Sequence, residues 1–230
     1  MAARCSATPV SARSYVTKTE LALHELRDRI LRLTLGPGQP IVIDETARQL
    51  GISPIPVREA LQMLAAEGLI EIRPHIGVIV APITRRSVVE LFTLLEGLET
   101  AVCRHAVAAA TADDLADLTG LLEQLDAIRV NREADRWARL NGAFHHALSA
   151  FAGLPRVNAE LQRALDHWDR VRRVFFADVL SHRAAEAQTE HWQILDAVKA
   201  QNPDRVEALL RAHNRVALDH YLKLLPERSR

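Results

Sequence analysis

Histidine side chains are concentrated in the later part of the chain, at a spacing that can bring several of them to one metal ion. The sequence has ten His in 230 residues. Asn141 and His145 lie four residues apart, which puts both on one face of a predicted helix. His191 lies near the start of a later helix and His213 lies in the last one. Imidazoles from separate helices of a bundle can meet in one cavity, and neutral imidazole suits zinc, nickel or copper.

The spacing also allows a simpler interpretation, because His is common on helix surfaces and at half-buried helix ends. Metal sites in bundles usually include carboxylates as well as imidazoles. The residues alone therefore leave both interpretations open. We interpret four other His of this region as surface residues: His146, His167, His182 and His220.

A second candidate site lies on a short helix after Ser53, where the apolar residues recur at helical spacing and must face a core. These residues are Val57, Ala60, Leu61 and Leu64. The opposite face then carries Ile55, Arg58, Glu59 and Gln62. In a helix-turn-helix such a face enters the major groove, where Arg58 can bind guanine or a phosphate and Gln62 can bind adenine. The alternative is an ordinary solvated face.

The elements around that helix predict a winged helix-turn-helix over residues 16–82. A helix from about Val16 to Leu33 ends before a Gly-Pro-Gly turn, and Asp44 is expected to cap a short second helix that Gly51 ends. The third helix runs from Ser53 to Glu67. Two apolar runs, LIEIR and GVIVA, then predict a two-stranded wing. Any other small α+β domain is the alternative, and residues 1–15 are predicted to be a flexible tail.

Residues 83–230 predict an all-α bundle of about six helices. Thr111 and Asp114 have the spacing of a capping box, and Pro155 and Pro203 occupy positions typical of the first helical turn. Aromatic residues make up only 4% of the chain, so Leu, Val and Ala must form most of the core. The predicted fold class is therefore mainly α, a winged helix-turn-helix followed by a helical bundle.

Composition excludes several classes of protein. The 29 basic and 29 acidic residues balance, which excludes a globally basic nucleic-acid coat. Residues 13–82 are also neutral, with eight residues of each sign, so we expect modest non-specific DNA affinity. No apolar run approaches a membrane span, and the N-terminus lacks the apolar stretch of a signal peptide. With only two Cys, the chain is expected to be a reduced, cytoplasmic protein.

The stretch from Asp44 to Ile83 closely resembles the N-terminal domain of the GntR family of bacterial transcription regulators. The resemblance lies in GISPIPVREAL, in EGLI and in a wing that ends in GVIV. It implies a homodimer that binds a palindromic operator in double-stranded DNA. The implied DNA-binding residues are Ser53, Ile55, Arg58, Gln62, His75 and Gly77, with the His75–Gly77 wing tip in the minor groove.

This segment departs from the family pattern at two places. Many members carry Arg-Thr after the capping Ser, where this chain has Pro54-Ile55. An Arg often found in the preceding helix is absent near Asp44-Glu45. Fewer direct base contacts are expected as a result, and Ile55 can instead contact a thymine methyl group.

The helical part resembles the FCD-type ligand-binding domain of the FadR subgroup of that family. The matching segments read NGAFH, EHWQILDA and RAHNR. The resemblance implies a divalent metal ion held by Asn141, His145, His191 and His213, and the imidazole-rich ligand set favours zinc or nickel before manganese. Asn141 replaces the usual Asp, so we expect weaker metal binding and a stronger pull on an anionic effector such as an organic acid. Three His that bind an anion directly, without metal, are the alternative.

A further departure concerns the effector cavity. The subgroup often has Arg at the position of Leu95. Arg172 and Arg173 are other cations of the region, but the sequence does not place them in the cavity and favours surface positions for both. The residues that bind the effector are therefore not predicted.

These features predict a transcriptional regulator, most often a repressor in this family, whose operator binding is controlled by a small molecule. A metal-dependent enzyme that uses the His cluster is the alternative from a different class. Such an enzyme needs a carboxylate base beside the metal ligands, and Glu190 is the only adjacent candidate. A DNA-architectural protein is a third alternative, but it leaves the helical part without a role.

Overall fold

The computed structural model describes residues 17–129 and 132–226, with the backbone alone at 134 and 176–182. The tail predicted for residues 1–15 lies outside the described residues. The described chain forms two compact units. One comprises the residues up to Asp28 together with Gln39–Val80, and the other comprises Arg29–Gly38 and the residues from Ala81 onward.

The first unit has the element order predicted for a winged helix-turn-helix, with one additional strand. Its elements are most of α1 (Lys18–Leu31), and β1 (Pro40–Ile41), α2 (Ile43–Leu50), α3 (Pro54–Ala66), β2 (Ile70–Arg73) and β3 (Gly77–Val80). The antiparallel sheet has the order β1-β3-β2, and Ile41 pairs with Val78. The predicted wing has two strands and missed β1, because two residues are too few to show an alternating pattern.

The helix ends of this unit follow the sequence signals except at Asp44. Helix α2 begins at Ile43, so Val42 is the N-cap and Asp44 lies within the first turn. The predicted capping role of Asp44 was therefore wrong, although a carboxylate in the first turn still favours the helix through its dipole. Gly51 ends α2 in the left-handed conformation, with φ of 65°. The apolar face of α3 is buried as predicted, at Val57, Ala60, Leu61 and Leu64.

The second unit contains the six helices that the sequence predicts. They are α4 (Arg85–Ala109), α5 (Ala112–Asp126), α6 (Ala134–Ala150), α7 (Pro155–Val174), α8 (Phe176–Lys199) and α9 (Pro203–Leu224). Thr111 and Asp114 form the predicted capping box, and Pro155 and Pro203 lie in first turns. No helix in the described ranges is long and apolar enough to cross a membrane.

Two apolar clusters form the core of the helical unit. One is centred on α5, α6 and α8 and includes Leu118, Phe144 and Ile194. The other is centred on α4, α7 and α9 and includes Phe92 and Trp168. The imidazole of His145 contacts both clusters, with ring-centroid distances of 5.5 Å to Phe144 and 5.8 Å to Trp168. Residue 145 is therefore held at the junction of the two clusters.

Candidate functional site

Three histidines from three helices meet inside the helical unit. His145 on α6, His191 on α8 and His213 on α9 are all buried. Each imidazole offers a nitrogen, and these nitrogens lie within 4.8 Å of one another. The ring centroids are separated by 4.9–5.4 Å. The structure thus brings together the three His that the motifs single out.

Each of these imidazoles is oriented by a side chain at Nδ1. Nδ1 of His145 lies 2.6 Å from Oε1 of Glu99, and Nδ1 of His213 lies 2.7 Å from Oε2 of Glu190. Nδ1 of His191 lies 3.3 Å from Oε1 of Gln188. When Nδ1–H donates to such an acceptor, the lone pair of the neutral ring is on Nε2, the arrangement found at metal-binding His.

Buried polar atoms around the three rings lack protein partners. Nε2 of His145 and Nε2 of His191 accept no hydrogen bond within the described residues. Asn141 is fully buried, and neither its amide nitrogen nor its amide oxygen has a partner there. Buried polar groups without partners are costly. The imidazole nitrogens and the amide oxygen fit the donor set of a divalent ion such as zinc or nickel.

Protonation of two of these rings is disfavoured. Burial lowers the pKa of His191 well below its ordinary value, and the neighbouring His213 and His145 lower it further. Burial also lowers the pKa of His213, against the opposing effect of its hydrogen bond to Glu190. Both rings are therefore neutral at neutral pH, which is the form that binds a metal.

The sequence prediction missed Glu99 on α4, which belongs to the site, as well as Gln188 and Asn214. Burial alone would raise the pKa of the Glu99 carboxyl, but the charge and hydrogen bond of His145, with a hydrogen bond from Asn214, hold it below the ordinary value. The amide of Asn214 donates to Oε2 at 2.5 Å. Glu99 lies four residues after Leu95 on the buried face of α4. A charge on an otherwise apolar helix face was the signal available in the sequence.

Glu190 has a different role from the one that the enzyme alternative requires. Its Oε2 accepts hydrogen bonds from His213 and from Arg183. Burial would raise its pKa, but these two hydrogen bonds lower it below the ordinary value. The carboxylate therefore orients an imidazole and pairs with a cation.

The cations near the site differ from the prediction. The surface position predicted for Arg172 was wrong, because its side chain is only 3% exposed. Arg173 is half-buried and pairs with Asp169 and Asp135. Arg172 can be buried because its guanidinium has both Asp169 and the ring of Trp168, 5.2 Å from the centroid, as neighbours. Leu95 lies in the apolar cluster with Phe92 and Trp168.

The predicted DNA-reading residues of α3 lie on its exposed face. Ile55, Arg58 and Gln62 are exposed, and 67% of the surface of Ile55 is accessible to solvent. Ser53 occupies the N-cap position, with Pro54 in the first turn, but its hydroxyl makes no capping hydrogen bond. No described residue makes an ion pair with Arg58. The face is thus free to receive a ligand.

The predicted wing tip is an exposed turn between β2 and β3. His75 has a left-handed φ of 63° and Gly77 has φ of 107°. Ile76 between them is 70% exposed. An exposed apolar residue at such a tip is of the type that some minor-groove-binding proteins insert into DNA.

Comparison with known proteins agrees with both units. Residues 18–80 match the bacterial regulatory proteins of the gntR family, and residues 90–216 match the FCD domain. A regulator from an unstable DNA locus of Streptomyces ambofaciens is 30% identical over 195 residues, which cover 85% of this chain and 81% of that protein. The transcriptional repressor RspR of Escherichia coli K12 is 29% identical over 188 residues and 82% of each chain.

A solved structure shows the same fold. Escherichia coli McbR/YncC superimposes with a TM-score of 0.74 at 22% identity, covering 91% of this chain and 99% of that one. The chain therefore belongs to the GntR family of winged helix-turn-helix transcriptional regulators and carries a C-terminal FCD domain. It is a DNA-binding regulator with a ligand-binding domain, not an enzyme.

Proposed function

We propose that this regulator is a repressor that binds a palindromic operator as a homodimer. An organic acid either releases it from the operator or keeps it bound there. The observation that carries the proposal is the triad of buried imidazoles, each oriented at Nδ1 by a side chain. A cluster of this kind adds nothing to DNA binding by itself. Its presence in the ligand-binding domain supports a role in sensing.

The residues proposed to hold a divalent ion are His145, His191 and His213, with Asn141 as a weak fourth ligand. Zinc or nickel is favoured, because imidazole-rich sites prefer the later first-row metals. When bound, the ion supplies a positive charge and open positions that accept water or a carboxylate. Asn141 leaves that charge unreduced, while Glu99 and Glu190 make two of the imidazoles stronger donors.

The DNA-binding residues proposed on α3 are Ser53, Ile55, Arg58 and Gln62, with His75 and Gly77 at the wing. Arg58 is the cation among them, so it is assigned the main base or phosphate contact. The dimer fixes the separation of two such faces and thereby the spacing of the half-sites. Because the winged unit has no net charge, the positions of its DNA-contacting side chains matter more than general electrostatic attraction to DNA.

Control by an effector requires a difference in affinity. The acid must bind one arrangement of the two reading units more tightly than the other, and the population then shifts toward that arrangement. The name of RspR, a repressor, supports repression as the default action.

Operator binding by full-length variants tests the proposal. DNA from the upstream region of the gene is titrated with wild type, His191→Ala and His105→Ala, with and without a chelator. His105 is the control, because it is an exposed His of α4 and is not one of the three His of the cluster. We expect chelation to change the effector response of wild type and His105→Ala alone, while His191→Ala binds DNA without responding. An equal response in all three proteins contradicts the proposal.

A further inference from the structure

Two spaces in the helical unit, an inner cavity and an outer pocket, share part of their lining. The inner cavity, about 20 Å³, is lined by residues that include Asn141, His213 and Arg183. The outer pocket, about 310 Å³, opens between α6 and α7. Trp168 and Arg172 line both spaces.

The two volumes differ in what they can hold. A space of about 20 Å³ accommodates the centre of one water and little more. An effector larger than one or two heavy atoms therefore cannot lie wholly in the inner cavity as it stands. The outer pocket is within the range of about 300–1,000 Å³ that ligand sites occupy. The body of an effector fits there.

Arg172 lines both spaces and has hydrogen-bond donors without a partner in the described residues. One guanidinium nitrogen, Nη2, donates to Asp169. Nε and Nη1 are buried and have no partner within the described residues. A buried cation with unmatched donors is unfavourable until an acceptor arrives, and a carboxylate is the acceptor that guanidinium binds best.

The other buried arginines of the region are less suited to this task. Arg170 donates to the carbonyl oxygen of Ala81 and lines neither space. Arg183 lines the inner cavity alone and is paired with Glu190. Of the three, Arg172 alone lines the larger of these two spaces.

Trp168 connects this position to the rest of the unit. The guanidinium of Arg172 lies over its ring, and the same ring makes edge contacts with His145 at 5.8 Å and with Phe92 of α4 at 6.2 Å. A ligand that engages Arg172 therefore binds beside a ring that contacts both the histidine triad and α4.

We propose that Arg172 binds the carboxylate of the effector and that the outer pocket holds the remainder of the molecule. The ligand class is a small organic acid whose body contacts both polar and apolar side chains, because Arg139 and Gln162 line the pocket together with Leu165 and Trp168. This inference rests on the proposed function in taking the effector to be an acid. It does not depend on whether a metal occupies the histidine triad.

Two substitutions, each with a matched control, test the assignment in the full-length protein. Arg172→Gln removes the proposed anchor, and Arg173→Gln is its control, because Arg173 also pairs with Asp169 but lines neither space. Gly142→Met fills the outer pocket, since a Cβ at this helical position meets nothing within 4 Å. Gly120→Met on α5 is the matched control for Gly142, being equally open and distant from the pocket lining.

The probes are acetate, hexanoate, benzoate and quinate, titrated by calorimetry and by tryptophan fluorescence. Metal content is measured on each sample. Arg172→Gln should weaken all the acids that bind by about tenfold or more, the loss expected for a charge-assisted hydrogen bond. Gly142→Met should weaken the three larger acids and spare acetate. Both control variants should bind as wild type does.

Four results would overturn the inference. They are unchanged binding in Arg172→Gln, equal losses in Arg172→Gln and Arg173→Gln, unchanged binding of the larger acids in Gly142→Met, and no binding of any probe to wild type at millimolar concentration. If Arg172→Gln fails to fold, Arg172→Lys replaces it and should show a smaller loss with metal content unchanged. A sample that lacks metal yet binds acids through Arg172 refutes the metal site and leaves this inference standing.

Discussion

Glu99 on α4 and His145 on α6 form a fully buried pair, with Oε1 and Nδ1 2.6 Å apart. A buried carboxylate is unfavourable unless it is paired, and Glu99 also accepts the amide of Asn214. The pair therefore fixes the tautomer and the direction of the His145 ring. It also ties α4, the helix that follows the winged unit along the chain, to the histidine triad.

Glu99→Gln should weaken metal binding by about 10–100-fold, because loss of a carboxylate behind a metal-binding His has that effect in other sites. Glu96→Gln is the matched control. It removes the same charge one turn earlier, where the carboxylate pairs with Arg211 and Arg215 instead of a His. Competition with a zinc-selective dye measures both affinities. Equal affinities in the two variants would show that Glu99 does not support the metal site.

Asn141→Asp should tighten metal binding and weaken binding of organic acids. The substitution puts a negative charge beside three imidazoles, at a position that is fully buried and has no protein partner. Calorimetric titrations with zinc and then with acetate measure the two changes on the same sample. Asn158→Asp, on α7, is a control for the same substitution elsewhere in the unit. A parallel rise or fall of both affinities would show that the charge at residue 141 does not act in opposite directions on the metal and on the acid.

The spacing of the motifs predicts which His converge, but not what orients them. Glu99 is 46 residues from His145, and their contact depends on how α4 packs against α6. Arg172 and Arg173 are adjacent on a helix rich in charged residues, so apolar periodicity could not distinguish the buried one. In the winged unit the apolar spacing from Val57 to Leu64 predicted the buried face of α3. Strand β1 has only two residues, which are too few to show an alternating pattern.

The stability of the metal-free protein should fall as the pH falls below about 6.5, the ordinary pKa of imidazole. The pKa values of His191 and His213 are lowered in the folded chain. Below about 6.5 the unfolded chain therefore binds more protons than the folded one, and the free energy of unfolding decreases with decreasing pH. Urea unfolding of chelator-treated protein across this range measures the change.

The variant His191→Gln separates this effect from general acid sensitivity. It removes one of the two imidazoles whose pKa is lowered, so its free energy of unfolding should decrease less over the same range of pH. His146→Gln, at the exposed neighbour of His145, should keep the wild-type profile. If His191→Gln loses stability with falling pH as wild type does, protonation of the triad does not determine the acid sensitivity of the protein.

Arg58→Ala should weaken specific operator binding by about 1–3 kcal/mol, the usual value of one base or phosphate contact made by Arg. Arg58 is exposed on the α3 face. Arg86→Ala removes an equally exposed Arg from α4 and is the control. Anisotropy titrations at matched salt compare the two. Equal affinities for the parent and Arg58→Ala would remove Arg58 from the reading face.

The metal content of the purified protein is the most direct test of the central claim that the histidine triad is a metal-binding sensor site. Elemental analysis follows incubation with zinc or nickel and removal of excess metal, for wild type, His191→Ala and His146→Ala. The account predicts stoichiometric metal in wild type and His146→Ala and a large loss in His191→Ala. Negligible metal in wild type, not restored by Asn141→Asp, would contradict the account and leave the triad as an anion site or a packed part of the core.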